Sequence, residues 1–443
     1  MQRKEFVGLD IGSDSIKLVR LRRGQTWRVV AAGARHIRPD AILEGRIMNF
    51  AAVIEAVRSL VTATDSLGLE CAIVISGSSL IIKRISVPEM SQQEFEESML
   101  WEAEQYIPFD IKDVNMDGVI LNPRAGQGQM DTLMVATKKE IVNEYVSVVV
   151  EAGLKPVVVE PSIINLLNLL KTNYPELNQP ESEPVVLIDV GANSTKVGVL
   201  AGGYPAFFKD LPMGSSSLTQ EIQRYFNISW EAAEKWKREI EDPDKINDPT
   251  HDVLLEVDRM AEQTAQTLVT EIQRCLDFFV ATSIKADITR IYLTGGGATT
   301  NHHLINILEK RIEAPVEIFD PFKKMASSPE DLPKNILDTN NWSWATAIGL
   351  ALRGLDEETP GVMRINLLGQ KNKPARKPSL LQRWYAARAQ TRQVRPVEKS
   401  ISKRLRISRH ELLTVCDNLG MFISNGVPLL TSLDVLAEAL KGS

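Results

Sequence analysis

A short pattern that occurs twice constrains the fold of this chain more than any other feature. The first copy is LDIGSDSIK at residues 9–17, and the second is IDVGANSTK at residues 188–196. In both copies an apolar run ends in Asp, a Gly follows two residues later, and a Lys stands in the next apolar run. A Gly turn and a third apolar run then follow, as is typical of β-hairpins. A repeat at this distance predicts two domains of similar fold.

Each copy places an Asp-x-Gly turn at the mouth of a hairpin. Glycine leaves backbone N–H groups open, and a concave row of N–H groups binds phosphate oxygens. The carboxylates of Asp10 and Asp189 can hold Mg²⁺, which prefers oxygen ligands and water. One such turn is common, but a third glycine-rich turn, Gly295-Gly296-Gly297, follows the apolar run 290–294. Together the three turns indicate a site for phosphate and magnesium.

The three turns resemble the nucleotide-binding fold of actin, hexokinase and Hsp70. Within that fold the chain resembles the type IV pilus assembly protein PilM, a family related to the cell-division protein FtsA. The segments that carry the resemblance are residues 7–13 (VGLDIGS), 187–192 (LIDVGA), 293–298 (LTGGGA), 345–353 (ATAIGLALR) and, for the extra subdomain shared with FtsA, 101–109 (WEAEQYIPF). The resemblance covers roughly residues 1–355. It implies an α/β, actin-like fold of two lobes with an FtsA-like extra subdomain.

The resemblance also implies a role for each matching residue. The first phosphate loop would contain Asp10, Gly12, Ser13, Asp14, Ser15 and Lys17, and the second Asp189, Gly191, Ala192, Asn193, Ser194 and Thr195. Gly295, Gly296 and Gly297 would receive the adenosine, and Asp10 and Asp189 would lie near the metal.

Three further residues have an alternative interpretation. Glu234 and Lys237, on one helix face, would contact the ribose and the adenine, or form a plain surface ion pair. Glu160 would orient the attacking water. Alternatively, Pro161 and Ser162, which follow it in the sequence, only begin a helix. The implied cofactors are ATP and Mg²⁺. At most slow hydrolysis is expected, because only Glu160 indicates a placed water.

Apolar periodicity and turn residues divide the chain into segments. Residues 1–172 would form the first lobe, including the extra subdomain at about residues 80–155. Residues 173–184, rich in Pro, Asn and Glu, would be a linker, and residues 185–355 would form the second lobe and a closing helix. A basic flexible linker at 370–409 and a helical fragment at 410–441 would follow.

The tail contains two segments that resemble partner proteins. Residues 362–368 (VMRINLL) resemble the cytoplasmic start of PilN, the membrane protein that binds PilM, although Gly369 stands where PilN usually has proline. Alternating Met363, Ile365 and Leu367 suit an extended peptide in a groove. The expected contact residues are Arg364, Ile365, Asn366, Leu367 and Leu368, with the groove filled by PilN or by residues 363–368 of the same chain. Residues 425–433 (NGVPLLTSL) resemble the start of the helical domain of PilC/GspF platform proteins.

The net charge of −6 is unevenly distributed. Residues 361–443 contain 15 Lys and Arg against 5 Asp and Glu, so the body is strongly acidic. An acidic body argues against nucleic acid as its ligand, whereas a basic tail suits an anionic membrane surface or an acidic partner. Three separated cysteines, no signal peptide and no apolar run of about 18 residues predict a cytoplasmic protein. The resemblance of the chain to PilM and of its tail to partner proteins implies a location at the cytoplasmic face of the inner membrane. Five scattered histidines predict no His-based metal site, because the neighbours His302 and His303 should point to different helix faces.

The sequence therefore predicts an ATP-binding scaffold of the type IV pilus inner-membrane complex that binds a PilN-type peptide, couples to a PilC/GspF-type platform protein and could self-associate. Two alternatives use the same fold. A sugar or small-molecule kinase would need a further acidic base in the cleft, and none stands out beyond Asp10 and Asp189. An FtsA-like filament protein would need a terminal membrane helix, which residues 379–390 match poorly.

Overall fold

The computed structural model describes residues 4–24, 27–240, 251–283, 287–298, 301–325, 341–355 and 361–369. The chain divides into two units, and the larger contains Met1–Met99 and Phe109–Lys371. The described part of the smaller unit, residues 100–108, is the end of a helix followed by a turn. The predicted basic linker at 370–409 and the helical fragment at 410–441 lie outside the described residues.

The first lobe is built on a mixed sheet of five strands. Its elements are β1 (Glu5–Ile11), β2 (Ser15–Arg23), β3 (Trp27–His36), β4 (Ile42–Leu43), β5 (Arg46–Ile47), α1 (Phe50–Ala63), β6 (Glu70–Ile75), β7 (Ile81–Pro88), α2 (Gln92–Ala103), β8 (Val114–Gly126), β9 (Gln129–Lys138), α3 (Lys139–Glu151), β10 (Lys155–Pro161) and α4 (Ser162–Asn173). The sheet order is β3-β2-β1-β6-β10, with β1 antiparallel to β2 and parallel to β6. Strand β1 is almost wholly apolar and buried because it lies at the centre of a sheet covered on both faces.

Strands β7, β9 and β8 form a separate antiparallel sheet in that order. The hairpin that the glycine-rich residues 124–129 predict joins β8 to β9, and Gln127 takes a left-handed φ of 54° in its turn. Helix α3 follows this sheet in the chain but packs on α1 and β10 of the first lobe.

The second lobe repeats the topology of the first. Its elements are β11 (Val185–Val190), β12 (Thr195–Ala201), β13 (Tyr204–Leu211), α5 (Ser216–Phe226), α6 (Trp230–Glu239), α7 (His251–Thr282), β14 (Arg290–Thr294), α8 (His303–Ile312) and β15 (Val316–Ile318). The closing helix α9 (Ala345–Leu355) follows and packs on β1, β2 and β6 of the first lobe. The sheet order β13-β12-β11-β14-β15 matches that of the first lobe, and β11 is likewise antiparallel to β12 and parallel to β14. The sequence repeat therefore reflects two equivalent β-sheets.

Two buried helices join the lobes. All twelve residues of α4 are buried, and α9 packs on both α4 and β1. Gly8 permits this contact, because a Cβ atom there would overlap the carbonyl oxygen of Ala347. The Asn165 side chain donates to the Thr346 carbonyl oxygen at 2.9 Å, which fixes α4 against the start of α9. Within the described residues, no helix has both the length and the apolar character needed to cross a membrane.

Candidate functional site

The two Asp-x-Gly turns have the same geometry. The Gly12 N–H donates to the Ser15 carbonyl oxygen at 3.2 Å, and the Gly191 N–H donates to that of Ser194 at 2.9 Å. Each turn joins the first two strands of its sheet, where Asp10 pairs with Lys17 and Asp189 pairs with Lys196. The repeat thus places two like turns at equivalent ends of the two sheets.

Two aspartates and two lysines meet between these turns. Burial raises the pKa of Asp10, with Lys17 lowering it and Asp189 raising it. The Lys196 Nζ atom lies 3.4 Å from Asp189 Oδ2. Burial alone would lower the pKa of Lys196, but Asp189, Asp210 and Asp10 raise it above its ordinary value. A divalent cation or a phosphate group would each find charges of opposite sign here.

Lys196 belongs to this charged cluster, although the resemblance assigned it no role. It occupies the position in the second copy that Lys17 occupies in the first, so the repeat itself contained the signal. Lys17 donates to its own turn, to Ser15 Oγ at 3.1 Å, and Lys196 does the same to Ser194 Oγ at 3.4 Å.

The glycine-rich turn closes over the second loop. Gly295 has a φ of +95°, which favours glycine, and a Cβ atom there would overlap the Val190 carbonyl oxygen. The Gly297 N–H donates to the same oxygen at 2.8 Å. Gly296, between them, has no heavy atom within 4 Å of a hypothetical Cβ position. The middle of the turn therefore presents bare backbone to open space.

Helix α6 contributes the predicted acid and base as a tight pair. The Lys237 Nζ atom lies 2.6 Å from Glu234 Oε1 and donates to Thr219 Oγ1 at 2.8 Å. Lys237 is buried, so the pair is not a solvated surface ion pair. Burial alone would raise the pKa of Asp14. The hydrogen bond with His36 and the charges of His36, Lys17 and Lys237 instead lower it below its ordinary value. The charge of Lys237 in the second lobe therefore acts on Asp14 in the first.

The segment 361–369 is bound to its own chain, against β10 and α4. Met363, Ile365 and Leu367 are at most 2 % exposed, whereas the residues between them are half-buried. Asn168 donates to the Met363 carbonyl oxygen and accepts from its N–H, both at 2.9 Å. The Leu367 N–H donates to the carbonyl oxygen of Val159 in β10 at 2.7 Å. The predicted alternation is confirmed, and its buried face points into the protein.

Comparison with known proteins identifies the family of this chain. Residues 8–355 match the sequence model of the family described as type IV pilus assembly protein PilM. The chain belongs to the PilM family. A solved structure described as a PilM-PilN type IV pilus biogenesis complex is 28% identical and covers 80% of this chain and 100% of its own, with a TM-score of 0.69. The actin-like fold expected from the sequence is confirmed.

Two more distant structures also match. The ethanolamine utilization protein EutJ from Carboxydothermus hydrogenoformans is 15% identical over 80% of this chain and 90% of its own, with a TM-score of 0.46. MreB5 of Spiroplasma citri bound to ADP is 12% identical over 78% of this chain and 94% of its own, with a TM-score of 0.40.

Glu160 of this PilM-family chain, which the sequence predicts to orient the attacking water, lies beside an arginine. It is fully buried near the end of β10, with Arg353 Nε 3.4 Å from its carboxylate. Burial raises the pKa of Glu160 to about 7, opposed by the charges of Arg353 and Arg364. Its charged neighbours thus come from α9 and from the bound segment, whereas those of Asp10 are Lys17, Asp189 and Lys196. Sequence alone could not show this, because Arg353 and Arg364 are distant along the chain.

Replacing Glu160 should change how stability depends on pH. A carboxyl group whose pKa is raised in the folded state binds more protons there than in the unfolded chain. Wild-type stability should therefore fall from about pH 4.5 to about pH 7, by up to about 3 kcal/mol at 1.4 kcal/mol per pKa unit. Glu160→Gln should lack this component. Urea unfolding of both proteins at a series of pH values would show it, and parallel pH profiles would contradict the assignment.

Proposed function

We propose that this PilM-family chain is a nucleotide-binding scaffold of the type IV pilus inner-membrane assembly complex, and that its groove takes a PilN-type peptide. The observation that carries the proposal is the bound segment 361–369, which the chain's own sequence supplies. The similarity to a solved structure described as a PilM-PilN complex supports the same partner class.

The groove recognises the backbone of an extended peptide and one asparagine. The Asn366 side chain accepts from the Val159 N–H at 3.0 Å and donates to the Val157 carbonyl oxygen at 2.9 Å, so it replaces a neighbouring strand at the edge of β10. The Asn366 N–H donates to Asp117 of β8 at 2.8 Å. The site thus lies between β10 and the three-stranded sheet, and recognition depends on main-chain bonds together with alternating apolar pockets.

Charge adds selectivity for a basic residue two positions before this asparagine. Glu160 and Asp117 are both buried or half-buried acids on the groove wall, and the charge of Arg364 acts on Glu160. A buried carboxylate needs a compensating positive charge. A peptide with Arg before Ile-Asn-Leu-Leu, the order found here, supplies that charge.

The two Asp-x-Gly turns and the glycine-rich turn would hold ATP and Mg²⁺. Asp10 and Asp189 provide oxygen ligands of the kind that Mg²⁺ prefers, and bound Mg²⁺ would neutralise phosphate charge. Lys17 and Lys196 would face the phosphates, the bare backbone at Gly296 leaves room for the adenosine, and Glu234 and Lys237 would contact the ribose and base. We expect ATP to act as a clamp that favours one angle between the lobes. We expect slow hydrolysis at most, because the Glu160 carboxylate lies beside Arg353.

The location and the second partner follow from the tail. Its excess of Lys and Arg suits an anionic membrane surface, so the protein would work at the cytoplasmic face of the inner membrane. Coupling to a PilC/GspF-type platform protein rests on residues 425–433, which lie outside the described residues.

A deletion tests the peptide groove. A chain from which only residues 362–369 are deleted should bind a free labelled peptide of residues 361–369, because the deletion empties the groove. Fluorescence anisotropy would measure this, with a scrambled peptide of the same composition as the control. If the deleted protein remains folded, as judged by circular dichroism, and fails to bind the peptide, the proposed partner class is wrong.

A further inference from the structure

Two histidines and an aspartate converge on the second lobe, away from the nucleotide loops. The Nε2 atom of His303 lies 3.0 Å from Asp258 Oδ1, and that of His302 lies 3.4 Å from the same oxygen. All three ligand atoms lie within 4.8 Å of one another. The sequence-based expectation that the adjacent histidines point to different faces is therefore wrong. Their rings lie 4.0 Å apart because they stand at the start of α8, where both can turn toward α7.

The backbone around this cluster is fixed independently of the three side chains. Asn301 donates from its side chain to the Ala261 carbonyl oxygen on α7 at 2.7 Å. Its side-chain oxygen also accepts from the His303 N–H at 3.2 Å. Helices α7 and α8 pack along one another, and Asp258 lies one turn before Ala261 on α7. The ligand atoms are thus carried by two packed helices that a separate hydrogen bond joins.

The spacing suits a tetrahedral metal ion. Ligands bound at about 2.0 Å in a tetrahedron lie about 3.3 Å apart, and the two distances to Asp258 Oδ1 bracket that value. Two neutral imidazoles and one carboxylate form a donor set that Zn²⁺ and similar borderline cations prefer over Mg²⁺. His303 is 22% exposed and the other two are more so, which leaves a path for the ion and room for a water ligand.

We propose that Asp258, His302 and His303 bind a divalent transition-metal ion of the Zn²⁺ class, with water as the fourth ligand. The ion would join α7 to the first turn of α8. The site does not depend on the proposed pilus function, and it would be present whether or not a nucleotide binds.

Isothermal titration of the full-length chain with ZnCl₂, in buffer containing excess Mg²⁺ to occupy Asp10 and Asp189, would test the site. We expect one Zn²⁺ per chain at micromolar affinity. Asp258→Asn and the double variant His302→Ala/His303→Ala should each weaken binding at least about tenfold. Asp277→Asn, an exposed acid on the same helix α7, is the matched control and should bind as the wild type does.

A spectroscopic measurement separates ligation from misfolding. Co²⁺ in place of Zn²⁺ should give the strong visible absorption of tetrahedral coordination in the wild type and in Asp277→Asn, and lose it in the double variant. The far-ultraviolet circular dichroism of all proteins should agree. If the wild type binds no Zn²⁺ at micromolar concentration, or if the double variant binds it equally well, the cluster is only an Asp–His hydrogen-bonded pair and the proposal is overturned.

Discussion

A full-length chain carrying Asn366→Ala should bind a free peptide of wild-type sequence 361–369, whereas the wild-type chain should not. The alanine removes the bonds that Asn366 makes to Val157, Val159 and Leu368. Two buried backbone groups of β10 would then lack partners, at about 1–3 kcal/mol each. The tethered segment should therefore leave the groove and open it to a free competitor.

The wild-type chain is expected not to bind the free peptide, because its own residues 361–369 fill the groove and are covalently attached. A short tether gives a binding segment an effective concentration on the order of millimolar, so micromolar free peptide cannot compete. The expected difference in apparent affinity is about a hundredfold or more. Anisotropy with a labelled peptide measures it, and Asn143→Ala, at an exposed position of α3, is the control. Equal binding by the wild type and Asn366→Ala would show that the segment does not block the groove.

Replacing Gly296 by valine should abolish most nucleotide binding without destabilising the protein. A Cβ atom at Gly296 meets no protein atom within 4 Å, so the fold has room for the side chain. If the adenosine packs on this bare backbone, the valine occupies the space that the nucleotide needs. We expect ATP affinity to fall by about thirtyfold or more, equivalent to about 2 kcal/mol.

Comparing two side chains of different size at position 296 tests whether the loss of ATP affinity depends on the space they fill. Gly296→Ala should cause a smaller loss than Gly296→Val, because its side chain fills less of the same space. Isothermal titration with Mg–ATP would give the affinities, and thermal melting without nucleotide should show unchanged stability for both variants. Wild-type ATP affinity in a well-folded Gly296→Val protein would contradict the placement of the adenosine.

Local patterns predicted the elements and their order with few errors. The repeated run from Asp to Lys predicted two hairpins. The structure contains both, and in them Asp10 pairs with Lys17 and Asp189 pairs with Lys196. Alternation predicted the buried face of residues 363–367. Such features repeat with the period of one element, so they can be found without knowing its neighbours. The predicted linker at 173–184 contains a 3₁₀ helix at Pro175–Asn178, in which Leu177 is buried.

The sequence by itself determined two β-sheets of equal topology, each with an Asp-x-Gly turn, and a tail segment with one apolar face. Only the tertiary structure decided which distant groups face each other. It placed Glu160 beside Arg353, Lys196 beside Asp189, and His302 and His303 beside Asp258. The physical reason is that charge pairing depends on the distance between atoms, and the packing of α4, α7 and α9 sets those distances across long stretches of chain.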